Sequence, residues 1–396
     1  MKFIKVKIKD IGEIVGGATP STKEKENYDG DIPWITPKDL TGYKGIFIGR
    51  GERNITQKGY NSCSTKIIPR NSILFSSRAP IGYLAITKNK LCTNQGFKSI
   101  IPNEKVNYLF LYYLLKYNTS YITNLGTGTT FKEISGTVME NIELNVPELL
   151  YDQERIAYIL YKLDEKIRLN NQINDNLYKI LEQYIDEHYY NNEFVQNGNV
   201  SDIGKIQSGY AFKSKDLLDK TTNNKILKIK NIDVSGVDID NTQYVYDEVA
   251  DKVDKKFLII RGNVIIAMTG AELGKTGYLY GRDYRYFLNQ RVGVIRGNDK
   301  YSELYLNCLF LLKNMQDTLN SKGYGSAQPN ISTSDIENIE IPIPKVDELE
   351  TFYEKCNPIY SKMILNSEQN QSLTQLRDVL LPKLMNGEID LDKIEI

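Results

Sequence analysis

Two stretches of the chain carry the hydrophobic pattern of long paired helices. From Asp152 to about His188 there is no proline or glycine, and apolar residues recur at alternating steps of four and three positions. That spacing is typical of a helix that packs against another helix along one seam. The first seam consists of Ile156, Leu160, Leu163, Ile167, Asn170, Asn174, Leu177, Leu181 and Tyr184. A second seam follows about 196 residues later, at Phe352, Cys356, Ile359, Met363, Asn366, Asn370, Leu373 and Leu380.

Both seams are interrupted by asparagines at matching positions, namely Asn170 and Asn174 in the first and Asn366 and Asn370 in the second. A buried asparagine in a seam costs stability and fixes the register of the pair. We therefore predict that the two helices pair with each other, antiparallel, although pairing between separate chains is an alternative. Arg377 falls on the second seam, and we expect the neighbouring Leu376 to take its place. A helix of about 38 residues is roughly 57 Å long, enough to hold flanking domains at a fixed distance.

The remaining segments consist of short apolar runs separated by Gly, Asn, Pro and Asp. They predict strands at Ser72–Phe75, Ile142–Val146, Asn263–Ala267 and Ile339–Ile343, and short helices at Tyr108–Lys116 and Glu303–Lys313. The predicted fold class is α+β, with two similar α+β domains that are each followed by a long helix. The predicted divisions are 1–148 for the first domain, 149–195 for the first helix, 196–345 for the second domain, and 346–396 for the second helix and tail.

The two domains are copies of one another. The sequence Met-Glu-Asn-Ile-Glu-Leu that begins at Met139 is repeated as Ile-Glu-Asn-Ile-Glu-Ile from Ile336. Likewise, Asn94-Gln95 is repeated as Asn289-Gln290. An offset of nearly half the chain indicates two copies of a whole domain, not the short units of a solenoid. Such a protein is expected to carry two similar but non-identical sites.

Composition limits the possible functions. The chain has 50 Lys and Arg and 50 Asp and Glu, so any nucleic-acid contact must be made by local patches of positive charge. The four cysteines, Cys63, Cys92, Cys308 and Cys356, are scattered, which favours reduced thiols and a cytoplasmic location. No apolar stretch is long enough to span a membrane, and the charged N-terminus is unlike a signal peptide. A single histidine, His188, disfavours histidine-dependent catalysis and zinc clusters.

Two short sequence motifs resemble motifs of enzyme active sites. Gly270–Thr276 follows a predicted strand like a phosphate-binding loop, but it has three residues between its glycines where four are required. Asn357–Tyr360 is close to a methyltransferase motif, but it lies within the second predicted helix. Both are therefore interpreted as structural, and no cofactor or metal is expected in this chain.

The chain resembles the specificity subunit of type I restriction–modification systems over essentially its whole length. Each half begins with a related sequence. It consists of Ile11–Pro20 and Ile32–Leu40 in the first half, and of Ile203–Phe212 and Leu227–Ile232 in the second. Each domain ends with the sequence Glu-Asn-Ile-Glu and a proline, and the long helix follows. The first helix carries Gln153–Ala157 and Leu163–Ile167. The order and the duplication of these features are specific, whereas no single one of them is.

The resemblance implies a non-catalytic reader of double-stranded DNA. In that family each half is a target recognition domain followed by a helix, and the helices set the unread spacer of an asymmetric bipartite site. Two modification subunits that use S-adenosylmethionine would dock on the helices, and restriction subunits that use ATP and Mg²⁺ would join. None of these activities is expected in this chain itself.

Candidate DNA contacts are the loops that the two copies share in position but not in chemistry. Arg and Lys suit guanine, Asn and Gln suit adenine, and Lys, Arg and hydroxyl groups suit phosphates. In the first domain the candidates are Thr36, Lys38, Ser77, Arg78, Asn94, Gln95, Thr129, Thr130 and Lys132. In the second they are Lys228, Lys230, Asn231, Thr269, Lys275, Asn289, Gln290, Arg291, Ser326, Gln328 and Asn330. The shared Asn-Gln pairs favour a scaffold or backbone role. Unshared Arg78, Lys132, Lys275, Arg291 and Gln328 favour base discrimination.

Three alternatives remain open at the level of sequence. A specificity subunit that serves methylation alone would use the same reader. A coiled-coil adaptor would use the paired domains to bind protein. An ATP-binding enzyme would use the loop at Gly270–Thr276.

Overall fold

The computed structural model describes residues 1–128, 132–192, 195–233, 236–324 and 329–393. Its contacts divide the chain into two units. Unit 1 consists of Met1–Arg168 and Leu373–Ile396, and unit 2 consists of Leu169–Ser372. Each unit contains one irregular domain and a part of each long helix. The division predicted from the sequence is different, because it treats each domain and each long helix as a separate continuous segment. That division stays a prediction.

Unit 1 contains ten described strands. They are β1 (Phe3–Lys7), β2 (Gly12–Gly16), β3 (Tyr28–Ile35), β4 (Phe47–Ile48), β5 (Asn54–Ile55), β6 (Ile73–Ser77), β7 (Ile81–Thr87), β8 (Cys92–Thr93), β9 (Lys98–Pro102) and β10 (Glu143–Pro147). The short helices are α1 (Ile8–Ile11), α2 (Gln57–Asn61), α3 (Tyr108–Tyr117), α4 (Thr119–Asn124) and α5 (Gly136–Asn141), with 3₁₀ turns at Lys25–Asn27 and Pro37–Leu40. Helix α6 (Leu150–Ile185) begins in this unit and is followed by a π-helical turn at Asp186–Tyr190.

Unit 2 repeats this series. Its strands are β11 (Gln196–Asn199), β12 (Gly204–Ser208), β13 (Asn224–Leu227), β14 (Ile232–Asp233), β15 (Gly236–Val237), β16 (Gln243–Val245), β17 (Leu258–Ile259), β18 (Val264–Ala267), β19 (Thr276–Tyr278), β20 (Arg285–Leu288), β21 (Val292–Gly297) and β22 (Glu340–Ile343). The helices are α7 (Val200–Ile203), α8 (Asp247–Ala250), α9 (Lys300–Leu311), α10 (Lys313–Ser321), α11 (Thr333–Glu337) and the long α12 (Val346–Met385), with 3₁₀ turns at Ser214–Asp216, Ile229–Asn231 and Lys255–Phe257. A further 3₁₀ turn at Leu391–Lys393 belongs to unit 1.

The two units share most of their sheet topology. The strand order β2-β9-β6-β7-β4 in unit 1 corresponds to β12-β21-β18-β19 in unit 2. The order β5-β3-β8 corresponds to β16-β13-β20 within the sheet β16-β13-β20-β17, and the pairs β3-β8 and β13-β20 are both parallel. A two-stranded sheet, β1-β10 or β11-β22, joins the first and last strand of each domain. The internal repeat in the sequence is therefore a repeat of the fold, and the predicted α+β class is confirmed.

The central strands form where apolar runs are buried on both faces. Every residue of β6 and of β18 is buried, as expected for continuous apolar runs inside a domain. Helix α3 begins at Asn107, whose side chain accepts from the backbone N–H groups of Leu109 and Phe110. Helix α9 begins at Asp299, which caps Tyr301 and Ser302 in the same way.

In unit 1 the beginning of α6 packs antiparallel against the end of α12. Ile156 and Leu160 share a buried cluster with Leu384 and Met385. Arg377 stays on the seam, where its guanidinium donates to Asp164 at 2.6 Å, and its side chain is 15% exposed. The expectation that Leu376 replaces it is wrong, since Leu376 is 47% exposed. Arg377 is retained because Asp164 provides the charge that a buried guanidinium requires.

In unit 2 the end of α6 packs antiparallel against the beginning of α12. The amide of Asn170 donates to the Asn370 side chain at 2.9 Å, and the amide of Asn366 donates to the Asn174 side chain at 2.8 Å. The four asparagines that interrupt the two seams thus contact one another. The predicted antiparallel pairing is confirmed, and the role of these residues in fixing the register stays a prediction.

Buried thiols make the stability of the fold sensitive to alkaline pH. Burial raises the pKa of Cys92 to about 11 and that of Cys356 to about 12, from an ordinary value of 9.0. Between these values the unfolded chain has released protons that the folded chain still holds, so stability decreases as pH rises. We expect the free energy of unfolding to fall above about pH 9, by about 1.4 kcal/mol per pH unit for each thiol.

Denaturant titrations at pH 8, 9, 10 and 10.5 measure this decrease, and Cys92→Val should remove the contribution of one thiol. Buried tyrosines such as Tyr286, whose pKa is also raised by burial, add to the decrease at higher pH. A free energy of unfolding that stays constant from pH 8 to pH 10.5 would contradict the prediction.

Candidate nucleic-acid interface

In unit 1 the first part of the candidate interface lies where strands β3 and β8 end side by side. The backbone N–H of Asn94 donates to the Ile35 carbonyl at 3.0 Å, which joins the two loops. Thr36 caps the 3₁₀ turn that follows, since both its N–H and its hydroxyl donate to Asp39 at 2.7 Å. The candidate loops at 36–39 and 94–96 are thus held together by the backbone of the sheet.

Unit 2 builds the same arrangement from different side chains. The backbone N–H of Asn289 donates to the Leu227 carbonyl at 2.9 Å. The N–H of Lys228 donates to the side chain of Asn231 at 3.0 Å, which caps the equivalent 3₁₀ turn. Thr36 and Asp39 in one unit therefore correspond to Lys228 and Asn231 in the other, on one common framework.

The start of the loop that carries the Asn-Gln pair is supported by a close approach of backbone at a glycine. The Ala18 N–H donates to the Thr93 carbonyl at 3.0 Å, and the Tyr210 N–H donates to the Leu288 carbonyl at 2.9 Å. The preceding residues are Gly17 and Gly209, and a side chain on either would meet a carbonyl oxygen within 2.3 Å. Glycine is thus required twice, at equivalent places, to bring these segments together.

The second part of the interface is a pair of backbone bridges. In unit 1, Glu133 is bridged to Arg78 and to Thr127, and in unit 2, Asn330 is bridged to Thr269 and to Tyr324. These bridges connect the turn between two antiparallel strands, β6 and β7 or β18 and β19, with a later loop of the domain. The later loop includes the candidates Thr129, Thr130, Ser326 and Gln328, which lie outside the described residues.

The loop at Gly270–Thr276 is a hairpin turn and not a phosphate-binding loop. It connects β18 to the antiparallel β19, whereas a phosphate-binding loop leads into a helix. Its lysine, Lys275, forms an ion pair with Glu272 of the same loop at 2.9 Å. Asn357–Tyr360 lies inside α12, where the Tyr360 hydroxyl donates to the Gly262 carbonyl at 2.7 Å. Both motifs therefore have structural roles.

Three of the predicted contact residues are buried and serve the framework. Ser77 is fully buried and donates to the Gly96 carbonyl at 3.2 Å. Asn231 is 1% exposed, and Thr269 is 5% exposed and donates to the Pro329 carbonyl at 3.2 Å. These side chains have almost no surface to offer to a base, because their polar atoms already satisfy neighbouring backbone groups. We leave them out of the proposed interface.

Several predicted cations are exposed but already paired. Lys38 contacts Glu52 at 2.8 Å, and Arg78 lies 3.8 Å from Glu133. The Lys228 ammonium donates to Gln243, and burial lowers the pKa of Lys228.

The other predicted residues remain accessible. Asn94 is half-buried and accepts from the Gly96 N–H at 2.9 Å, Asn289 is half-buried, and exposed Gln95 accepts from the Thr19 hydroxyl. Exposed side chains are also present at Lys132, Lys230, Gln290, Arg291 and Asn330. Their roles in contacting DNA stay predictions.

Sequence reasoning missed two charged residues of this face. Glu133 lies between Arg78 and Lys98, and Lys98 contacts it at 3.4 Å. The sequence carries a signal for Glu133, because its position in the repeat corresponds to that of Asn330, which is a predicted contact residue. Lys98 gave no such signal, because its equivalent in the register of the second sheet is Gly293.

Neither a metal cluster nor a membrane helix is found in the part of the chain that the structure describes. There, no group of three or more His, Cys, Asp or Glu residues is arranged to hold a metal ion. Among the same residues, no helix combines the length and the apolar character needed to cross a membrane.

The model of one protein family matches both halves of the chain. It is described as the type I restriction modification DNA specificity domain, and it matches residues 2–179 and 192–375. The chain belongs to this family. The resemblance found in the sequence is thereby confirmed, and each matched segment covers one α+β domain together with much of the long helix that follows it.

Individual relatives agree with this assignment. The MjaIX specificity subunit of a type I restriction enzyme from Methanocaldococcus jannaschii is 37% identical over 98% of this chain and 94% of its own length. The MjaVIII specificity subunit of the same organism is 23% identical over 97% and 92%. The crystal structure of the type I S subunit from M. genitalium has a TM-score of 0.61 at 18% identity, covering 97% of this chain and 96% of the other. This last likeness concerns the fold.

Proposed function

We propose that this chain is the DNA-reading subunit of a type I restriction–modification complex and that it reads an asymmetric bipartite site. One recognition domain in each unit would contact one half of the site in the major groove. The observation that carries the proposal is the repeated framework with unlike side chains. The same two bridges hold Arg78 opposite Glu133 in unit 1 and Thr269 opposite Asn330 in unit 2.

A shared framework with unlike side chains suits a reader of two different half-sites. Arginine forms a bidentate contact with guanine, and asparagine forms one with adenine. Arg78 and Asn330 are both accessible, and they lie on opposite sides of the equivalent bridges, since Asn330 takes the place of Glu133. The two domains would therefore prefer different bases, which makes the complete site asymmetric, unlike the palindrome that a symmetric dimer reads.

The proposed partners and cofactors follow from the family. The MjaIX relative is named a specificity subunit of a type I restriction enzyme. We propose that two modification subunits dock on the helices of this chain and bind S-adenosylmethionine, and that restriction subunits bring ATP and Mg²⁺. This chain would bind no cofactor and catalyse no step. Exposed apolar side chains on α6, such as Tyr151 and Tyr158 at 64% and 45% exposure, support a partner surface there.

Methylation mapping tests the proposal. DNA from cells that carry this gene with its modification gene is sequenced by a method that detects methylated adenine, and is compared with DNA from a strain that lacks only this gene. We expect a two-part asymmetric motif that disappears in the deletion and returns on complementation. An unchanged methylation pattern, with a modification subunit that is expressed and binds this chain, would contradict the proposal and favour a protein-binding adaptor.

A further inference from the structure

Glu133 occupies a fixed position at the centre of the unit 1 recognition face. Its backbone is bridged on one side to Thr127, with N–H···O distances of 2.9 and 3.1 Å in the two directions. On the other side it is bridged to Arg78, and the next residue, Ile134, donates to the Ser77 carbonyl at 3.0 Å. The carboxylate of Glu133 therefore projects from a backbone that two neighbouring segments hold.

This carboxylate lies against two cations of the same face. The Lys98 ammonium is 3.4 Å from one carboxylate oxygen, and the Arg78 guanidinium is 3.8 Å from the other. The side chain of Lys98 is 18% exposed, whereas Arg78 and Glu133 are 37% and 41% exposed. Glu133 thus occupies the position at which an anionic ligand of Arg78 and Lys98 would bind.

The equivalent bridge of unit 2 carries neither of these two charges. Thr269 stands in place of Arg78, and Asn330 stands in place of Glu133. The acid is present where the arginine is present, and both are replaced by neutral residues in the other copy. This correspondence indicates that Glu133 acts on Arg78 and is not a general requirement of the framework.

We propose that Glu133 determines specificity by holding Arg78 and Lys98 until the correct DNA sequence displaces it. The inference rests on the proposed DNA-reading function. Glu133 is a positioning residue in this scheme. It competes with phosphate for the two cations, and it orients the Arg78 guanidinium for a base.

The competition penalises incorrect DNA more than correct DNA. Non-specific binding comes almost entirely from phosphate contacts, so a carboxylate that neutralises two cations removes much of its driving force. Binding to the target adds hydrogen bonds to base edges that scrambled DNA does not offer in the same pattern. These bonds offset the small cost of separating a partly exposed ion pair.

Other cations of the predicted interface are paired in the same way. Lys38 contacts Glu52 at 2.8 Å in unit 1, and Lys275 contacts Glu272 at 2.9 Å in unit 2. The chain as a whole has equal numbers of acidic and basic residues, 50 of each. Several cations of the predicted interface are thus locally neutralised, in contrast to the strongly basic patch of a non-specific DNA binder.

The test compares Glu133→Gln with Glu143→Gln in the assembled complex with the modification subunits. Both substitutions remove the charge of an ion-paired glutamate of similar exposure, 41% for Glu133 and 44% for Glu143, but Glu143 pairs with Lys5 in the two-stranded sheet β1-β10, at 2.9 Å. Glu133→Asp serves as a second variant that retains the charge. Fluorescence anisotropy measures the affinity for the mapped target duplex and for a scrambled duplex over a series of salt concentrations.

We expect Glu133→Gln to raise the affinity for scrambled DNA by about three- to tenfold and to steepen its salt dependence by about one to two phosphate contacts. Affinity for the target should change by less than about threefold, because lost orientation of Arg78 opposes the gain in charge. The ratio of the two affinities should therefore fall, whereas Glu143→Gln and Glu133→Asp should leave it near the value of the unmodified complex.

Two results would overturn the inference. The first is an affinity for scrambled DNA that is unchanged by Glu133→Gln or raised equally by Glu143→Gln. The second is a loss of target affinity with scrambled DNA unaffected, which would make Glu133 a direct reader of a base. A different result, an unmodified complex that binds both duplexes equally, would instead refute the proposed DNA-reading function.

Discussion

Replacement of Asp164 by alanine is expected to lower the free energy of unfolding of unit 1 by about 3 to 5 kcal/mol. One carboxylate oxygen of Asp164 accepts from Arg377 at 2.6 Å, and the other accepts from the Tyr113 hydroxyl at 2.8 Å. The side chains of Asp164 and Arg377 are only 10% and 15% exposed. Removing the acid leaves a largely buried guanidinium with much less neutralising charge, which is far more costly than losing a surface ion pair.

The internal repeat provides a matched control for this prediction. The positions equivalent to Tyr113 and Arg377 in unit 2 are Phe310 and Leu181, both buried and apolar. A triple variant, Tyr113→Phe with Asp164→Leu and Arg377→Leu, removes the whole polar group and should recover most of the lost stability. It should unfold within about 2 kcal/mol of the unmodified chain, because a buried ion pair and an apolar replacement have similar net energies.

Denaturant unfolding followed by hydrogen exchange in residues 150–168 assigns the loss to unit 1. Tyr113→Phe alone should cost about 1 kcal/mol, the net contribution of one hydrogen bond. A cost below about 1 kcal/mol for Asp164→Ala would contradict the prediction. A triple variant that is less stable than Asp164→Ala would show that the polar group has a role in the fold beyond satisfying its own charge.

Replacement of Gly17 by alanine is expected to destabilise the first recognition domain by about 3 kcal/mol, since an added methyl group can be accommodated only by moving the backbone. The new Cβ would lie 2.2 Å from the Thr93 carbonyl oxygen and 2.3 Å from that of Asn94. The loop that carries Asn94 and Gln95 would have to shift, and target affinity of the complex should fall about tenfold or more.

Gly16 is the control, because it immediately precedes Gly17. An added Cβ at Gly16 meets none of the described atoms within 4 Å apart from its chain neighbours. Gly16→Ala should therefore leave thermal stability and methylation of the target unchanged. Gly209→Ala should reproduce the defect in the other domain, since its Cβ would lie 2.3 Å from the Asn289 carbonyl oxygen. Equal behaviour of Gly16→Ala and Gly17→Ala in melting and methylation assays would contradict the prediction.

The elements that depend on local pattern could be predicted from sequence. The long helix expected from Asp152 to about His188 is observed as α6 at Leu150–Ile185 with a π-helical turn to Tyr190. The strands around residues 73 and 264 and the helices beginning near 108 and 300 were also expected. Heptad spacing and apolar runs depend on residues that are close in sequence, and the internal repeat is found by comparing the sequence with itself. All three can therefore be recognised without knowledge of the fold.

The interface could be predicted only as a set of loops. Ser77, Asn231 and Thr269 belong to the predicted loops but point into the domain, where they bond to backbone carbonyls or cap a turn. Whether a polar side chain faces solvent or the core depends on the register of a strand and the path of the next loop. A shift of one residue reverses that direction, and polarity alone gives no indication of it.

The sequence by itself determined that this protein has two related α+β domains and two helices that pair. Both follow from hydrophobic periodicity and internal repetition, which are properties of the order of residues. Only the tertiary structure decided which charges meet. Arg377 stays in a seam because Asp164, 213 positions away, lies opposite it. Glu133 pairs with Arg78, to which its backbone is bridged, and with the side chain of Lys98 from a different strand. Electrostatic partners act over a few ångströms in space, and the folded chain alone sets those distances.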